Sequence, residues 1–128
     1  MSKQMLLIAI LFTAIPAFAQ NATGNYHRVE LYFGLTEKGK PISEARWQQF
    51  VDEHITSSFP DGLTIINAYG QWRDSKKITK EKSKVLIVIC ENTLKNTIAV
   101  DSIKSIYKRI FRQESVLEVD SKVEKVQF

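Results

Sequence analysis

A run of five apolar residues from Val85 to Ile89 constrains the fold of this chain more than any other feature. Lys84 precedes the run and Cys90 follows it, so the segment has the length of a strand. A short strand that is apolar on both faces is typical of a central position in a sheet. The sequence therefore predicts a strand over residues 84–90 with a neighbouring strand on each side.

The segments around this strand have the patterns of further strands and of two helices. Residues 28–35 alternate with period two, and residues 63–72 form a hairpin with 84–90. Residues 115–120 close the chain with a fourth strand, for which an extension to Val126 stays open. Residues at helical spacing follow the predicted N-cap Ser43, and apolar residues at the same spacing recur over about 94–112. The two helical stripes comprise Trp47, Phe50, Val51, Ile55 and Ser58, and Val100, Ile103, Ile106, Tyr107, Ile110 and Phe111.

The order strand–helix–strand–strand–helix–strand predicts an α+β fold, the ferredoxin-like βαββαβ sandwich. In this fold two helices pack on one face of a four-stranded antiparallel sheet, and the first and third strands lie in the middle. The opposite face of the sheet is open. We therefore expect a functional site most readily on that open face.

The N-terminus has the pattern of a cleavable export signal. Lys3 is followed by an apolar stretch from Met5 to Phe18, and Ala17-Phe18-Ala19 offers the small-x-small pattern of a signal peptidase site. The stretch is short for a membrane span, which takes roughly 20 apolar residues. The sequence predicts a signal peptide over 1–19, a flexible lead-in over 20–27 and one domain over 28–128, located in the periplasm or secreted, with no membrane span once the signal is removed.

The charge and cysteine content indicate no particular partner. The chain has 18 Lys and Arg against 14 Asp and Glu, and Lys3 is the only charged residue of the leader, so the mature protein carries a net charge of +3. This mild excess does not by itself indicate nucleic-acid or membrane binding. The single cysteine, Cys90, cannot form an internal disulfide and is expected to fill core space.

The small residues Ala68 and Gly70 suggest which face of the second strand lies beneath the helices, because small side chains let a helix pack closely. On the fourth strand the apolar Leu117 and Val119 are expected to point inward. The remaining positions then line the open face. The predicted open-face residues are Arg28, Glu30, Tyr32, Asn67, Tyr69, Gln71, Lys84 and Glu118.

Charged groups beside aromatic rings can hold a small polar ligand, although an open sheet face is often simply wet and polar. We expect a non-enzymatic protein that binds a small ligand or a protein partner here, and pairing of two such faces in a homodimer would also close a pocket. The main alternative is a small enzyme on a dimeric α+β barrel, with a pocket formed by Arg28, Glu30, Tyr32 and Lys84. A further alternative, an accessory subunit of an envelope assembly, predicts an exposed apolar patch instead.

Two other groups of residues are candidates for ligand binding. Trp72 and Arg73 end the second strand, where an indole beside a guanidinium could bind a sugar or an aromatic ligand, although such a tryptophan is more often half-buried core. Gln113, Glu114 and Ser115 follow the second helix. They could line the mouth of a pocket, but we favour the interpretation that their side chains hold the turn.

Several classes of site have no support in the sequence. His27 and His54 lack metal-ligand spacing, and the glycines form no phosphate loop, so we expect neither a metal nor a cofactor. Lysines cluster around the hairpin at positions 76, 77, 80, 82 and 84 without interleaved aromatic residues, which favours a solvated hairpin over a nucleic-acid site. No catalytic residue can be assigned from the sequence.

Five stretches of the mature chain together carry a family resemblance. They are Arg28–Gly34, Phe59–Thr64, Ala68–Arg73, Glu81–Val85 and Tyr107–Leu117. In this order they are similar to an exported bacterial family, domain-of-unknown-function family 3574, from Arg28 to about Phe128. The resemblance implies a location in the bacterial envelope and brings no activity. Many members look like lipoproteins or secreted proteins, and this chain departs from the lipoprotein form because it lacks a cysteine after the signal.

Overall fold

The computed structural model describes residues 24–127, so the predicted signal peptide lies outside the described part of the chain. The elements are β1 (Tyr26–Gly34), β2 (Thr36–Glu37), β3 (Lys40–Pro41), α1 (Glu44–Phe50), a π-helical turn (Val51–Ile55), β4 (Thr64–Asp74), β5 (Lys77–Glu91), α2 (Leu94–Ile110) and β6 (Leu117–Lys122). The four long strands form one antiparallel sheet in the order β4-β5-β1-β6. The predicted ferredoxin-like sandwich is confirmed, with β1 and β5 in the middle. No helix among the described residues is long and apolar enough to cross a membrane.

An aromatic cluster joins both helices to the sheet. Phe33 of β1 meets Tyr107 of α2 edge to face, with ring centroids 4.7 Å apart, and Phe50 of α1 lies 5.1 Å from the same tyrosine ring. Trp47 and Phe111 complete the cluster, and all five side chains are buried. The Tyr107 hydroxyl donates a hydrogen bond of 2.5 Å to the carbonyl oxygen of Gly34, and burial raises the pKa of this phenol. This satisfied polar group fixes the position of α2 against β1.

Helix α1 begins where its capping residue predicts. The Ser43 Oγ accepts a hydrogen bond of 3.2 Å from the Arg46 backbone N–H. At its end the helix widens into a π-helical turn, in which the Thr56 N–H donates to the carbonyl oxygen of Val51. Val51 and Ile55 both stay buried, so the apolar stripe of this helix continues through the turn.

The main differences from the predicted elements concern β1, the loop after it, and β5. The predicted loop after β1 contains a small hairpin, in which Lys38 and Gly39 have φ angles of 47° and 76°, as a type I′ turn requires. Strand β1 begins at Tyr26, inside the predicted lead-in. Strand β5 extends back to Lys77 because its polar residues pair with β4 through the backbone, which needs no apolar side chains.

The faces of the two edge strands, and that of Lys84 on the central strand β5, are reversed from the prediction. Strand β1 turns Val29, Leu31 and Phe33 inward as expected, but the register places Ala68 of β4 and Leu117 of β6 on the open side. The predicted open-face residues that lie on the helix side instead are Asn67, Tyr69, Gln71, Lys84 and Glu118. Small side chains on β4 therefore did not indicate helix packing, and apolar side chains on β6 did not indicate the core.

Polar partners on the helices explain why charged residues point inward. The Lys84 ammonium donates to both carboxylate oxygens of Glu44 in α1, at 2.8 and 2.9 Å, and to Asn67 Oδ1 at 2.7 Å. Lys84 is only 5% exposed, so these bonds satisfy a buried charge. On β6, Glu118 accepts a hydrogen bond from the Lys104 ammonium of α2. On the helix side of the sheet, the ion pairs of Lys84 and Glu118 with the helices thus lie where the sequence analysis expected apolar contacts.

We predict that Glu44→Ala destabilises the fold by about 1–3 kcal/mol, because it removes two hydrogen bonds from a buried ammonium. Urea unfolding of the variant and the wild type gives this free energy. The matched control is Glu53→Ala, which removes an exposed carboxylate from the adjoining turn and should change the free energy of unfolding by less than about 0.5 kcal/mol. Equal effects of the two substitutions would show that the contact with Lys84 contributes no stability.

Candidate functional site

Three rows of side chains cross the open face of the sheet, which is more apolar than predicted. The rows are Ile66–Val85–Tyr32–Leu117, Thr64–Ile87–Glu30–Val119 and Ile89–Arg28–Ser121. Four of the aliphatic side chains are substantially exposed: Leu117 at 60%, Ile66 at 47%, Ile89 at 44% and Val119 at 40%. These four side chains come from β4, β5 and β6, and they flank the polar residues that β1 contributes to the same face.

The charged centre of this face is neutralised within β1. The Arg28 Nε donates a hydrogen bond of 2.7 Å to Glu30 Oε1, and the Tyr32 hydroxyl donates one of 2.6 Å to Glu30 Oε2. Alternate residues of a strand share a face, so the three side chains meet without any other element. The hydrogen bond from Tyr32, followed by that from Arg28, lowers the pKa of Glu30, and the same carboxylate raises the pKa of Tyr32.

The structure does not bring together the four residues of the predicted enzyme pocket. Arg28, Glu30 and Tyr32 lie on the open face, whereas Lys84 lies opposite Phe33 on the helix side. The Glu30 carboxylate is also poorly suited to accept a proton near neutral pH, because its pKa is lowered and both oxygens already accept hydrogen bonds. The prediction of a pocket formed by these four residues is therefore wrong.

The other predicted residues are dispersed. Trp72 lies on the open-face side and is 49% exposed, while Arg73 points to the opposite side. Gln113 holds the turn after α2, because its Nε2 donates to the carbonyl oxygens of Thr36, at 2.7 Å, and of Phe111, at 2.9 Å. Glu114 and Ser115, which follow in the chain, are exposed. These residues do not combine with the face into one site.

A cleft of about 780 Å³ at one end of the sheet was missed by the sequence analysis. Strand β4 begins at Thr64, opposite Ile87, so the last four residues of β5 have no partner on that side. The cleft wraps around this free edge, with Phe59, Leu63, Ile89, Cys90, Glu91 and Asn96 among its lining residues. The Pro60-Asp61-Gly62 turn, which delays the start of β4, was the available sequence signal.

Two titratable side chains meet beside this cleft on the helix side of the sheet. His27 Nδ1 lies 2.5 Å from Asp120 Oδ1, and Cys90 is directly opposite His27 in the register. Burial, and then the charge of Asp120, raises the pKa of the Cys90 thiol, which keeps the sulfur neutral. Among the described residues no three His, Cys, Asp or Glu side chains have the arrangement of a metal site.

We predict that Tyr32→Phe raises the pKa of Glu30 toward the ordinary carboxyl value, because the first of the two hydrogen bonds that lower it is lost. A depressed pKa stabilises the fold above the ordinary value, and this contribution is lost as the pH falls through the folded-state pKa. The variant should therefore lose less stability on acidification. An NMR titration of the Glu30 side-chain carboxyl in both proteins gives the pKa, with Glu53 as internal reference. An unchanged Glu30 titration would contradict the assignment.

Solved structures with the same fold were found in two groups. A phage SAM lyase, in complex with S-methyl-5′-thioadenosine and in its apo state, is similar with a TM-score of 0.60 for each, at 16% and 17% identity, over 82% and 83% of this chain and 90% of each lyase chain. CutA from Synechococcus elongatus PCC7942 is similar with a TM-score of 0.54 at 9% identity, over 81% of both chains. At these identities the likeness shows the fold alone.

The sequence comparisons decide the family. A search of curated protein sequences found no relative. The family model DUF3574, whose description is protein of unknown function, matches residues 28–128, the same range as the predicted domain. The resemblance seen in the five sequence stretches is confirmed, and the chain belongs to the DUF3574 family of proteins of unknown function.

Proposed function

We propose that this protein is a non-enzymatic binding protein of the bacterial envelope, and that its open sheet face docks on a second copy of itself. One observation carries the proposal: exposed aliphatic side chains from the sheet's outer positions, such as Ile66, Leu117 and Val119, surround a centre without net charge. The envelope location belongs to the proposal and rests on the signal pattern of the N-terminus.

The hydrogen bonds at the centre of the face lower the free-energy cost of burying it. An unpaired buried charge is costly, but Glu30 already has partners on both oxygens and its side chain is only 19% exposed. Covering the face therefore removes little water from this carboxylate. A small polar ligand would instead have to displace Tyr32 or Arg28 to reach it. The geometry favours a protein surface over a polar ligand.

A second copy supplies a matching surface. Two-fold related faces present the same apolar rows to each other, and stacked sheets pack about 10 Å apart with interdigitating side chains. The apolar run from Val85 to Ile89 fits this arrangement. Val85, Ile87 and Ile89 alternate onto the open face, where a single chain buries Val85 to 8% exposure but leaves Ile89 44% exposed. Pairing the sheets would cover both faces of the central strand.

We predict that the mature protein is a dimer at micromolar concentrations and that Leu117→Glu makes it monomeric, because the substitution places an unpaired carboxylate in the interface. Sedimentation equilibrium measures the masses. The matched control is Leu94→Glu, since Leu94 is 76% exposed but lies at the start of α2, away from the face. A monomeric wild type, or equal effects of the two substitutions, would contradict the proposal.

The cleft supports a second candidate function, the binding of a small molecule. Its volume of about 780 Å³ lies within the range of ligand pockets, and its lining combines apolar side chains with Asn96 and Glu91. A structure with this fold, the phage SAM lyase, was solved with S-methyl-5′-thioadenosine. That nucleoside is a reasonable first probe.

We predict that S-methyl-5′-thioadenosine binds to the wild type and that Ile89→Trp weakens this binding at least about tenfold, because the indole fills part of the cleft. Isothermal titration calorimetry gives both affinities. Ile66→Trp is the control, since Ile66 has similar exposure on the same sheet face but does not line the cleft. Absence of heat with the wild type would remove this candidate and leave the dimer proposal unaffected.

A further inference from the structure

The β4–β5 hairpin extends beyond the rest of the sheet. Strand β1 ends at Gly34, opposite Ser83, so the earlier residues of β5 pair with β4 alone, apart from one hydrogen bond from the Leu35 N–H to the Lys82 carbonyl oxygen. We call residues 69–82 the distal hairpin. Three large side chains are exposed on it, Tyr69 at 78%, Ile78 at 56% and Trp72 at 49%.

The charges of the distal hairpin are mostly positive and unpaired. It carries Arg73 and four lysines, at positions 76, 77, 80 and 82, against Asp74 and Glu81. None of these five cations forms a salt bridge with any other residue that the structure describes. Elsewhere in the chain Arg46 pairs with Glu37, and Lys104 pairs with Asp101 and Glu118.

One side of the distal hairpin combines these cations with apolar groups. Tyr69 is directly opposite Lys82, Gln71 is opposite Lys80, and Arg73 is opposite Ile78. No carboxylate lies among these six positions. Tyr69 therefore shares one side of the hairpin with Arg73, Lys80 and Lys82, although no aromatic residue stands between the lysines in the sequence, which is why the sequence analysis missed the pattern.

We propose that the distal hairpin docks on an anionic lipid surface. Unpaired lysine and arginine side chains are attracted to acidic headgroups, and tyrosine and tryptophan are stabilised at the membrane–water interface. Trp72, opposite Thr79, lies on the other side of the hairpin from Tyr69, so the docking surface is the projecting tip rather than one side alone. Ile78, near the turn, has no role in stacking on nucleic-acid bases, whereas an aliphatic group gains by entering the acyl boundary. This combination of charge and exposed apolar surface at a projecting tip favours lipid over nucleic acid. The proposal does not depend on the sheet face or the cleft.

The two tryptophans allow a direct measurement, because Trp47 is 1% exposed whereas Trp72 is 49% exposed on the hairpin. Titration of the mature protein with vesicles of equal parts phosphatidylglycerol and phosphatidylcholine should shift the emission of Trp72 to shorter wavelength and sediment the protein with the vesicles. Pure phosphatidylcholine vesicles should do neither. Raised salt should weaken the binding, since it screens charges beyond about 8 Å at physiological ionic strength.

Two triple variants with the same change in net charge locate the site. Arg73→Gln, Lys80→Gln and Lys82→Gln together should weaken vesicle binding on the order of 100-fold. Lys38→Gln, Lys40→Gln and Lys125→Gln together, all exposed and outside the hairpin, should change it less than about threefold. Equal losses in both variants, equal binding to phosphatidylcholine, or binding to double-stranded DNA without binding to vesicles would each overturn the proposal.

Discussion

The antiparallel register of the two central strands is the constraint on which the rest of the structure depends. Leu31 lies opposite Leu86, and Val29 lies opposite Val88, so these four side chains share the helix side of the sheet. Because side chains alternate along a strand, this one pairing assigns every residue of β1 and β5 to a face. The register of β4 with β5 and that of β6 with β1 then determine which face each residue of the two edge strands occupies.

This register has different consequences on the two faces. On the helix side it places Lys84 beneath α1, and the buried ammonium is compatible with the core because Glu44 and Asn67 accept its hydrogen bonds. On the open side it collects aliphatic side chains around the Arg28–Glu30–Tyr32 group. The face that could have been simply polar and wet is thereby better suited to contact with protein.

The candidate binding surfaces occupy separate parts of the molecule. The sheet face is apolar with a neutralised centre, the cleft lies at the free end of β5, and the distal hairpin projects with unpaired positive charge from the opposite end of the same strand. Their physical characters differ, so each surface suits a different class of partner. A protein that pairs through its sheets would still leave its distal hairpins exposed for contact with lipid.

The sequence by itself determined the order of the long strands and the helices, the buried stripes of both helices except for Ile110, which is 39% exposed, the central position of β5 and the family, because these follow from local periodicity and from contiguous residues. Only the tertiary structure decided the faces of the edge strands. Ala68 and Leu117 point to the open side because of pairings with residues far away in the chain. The partners of Lys84 and Glu118 are likewise distant, at Glu44 and Lys104. Such non-local contacts leave no periodic trace, so the apolar sheet face, the cleft and the basic hairpin surface appeared only in three dimensions.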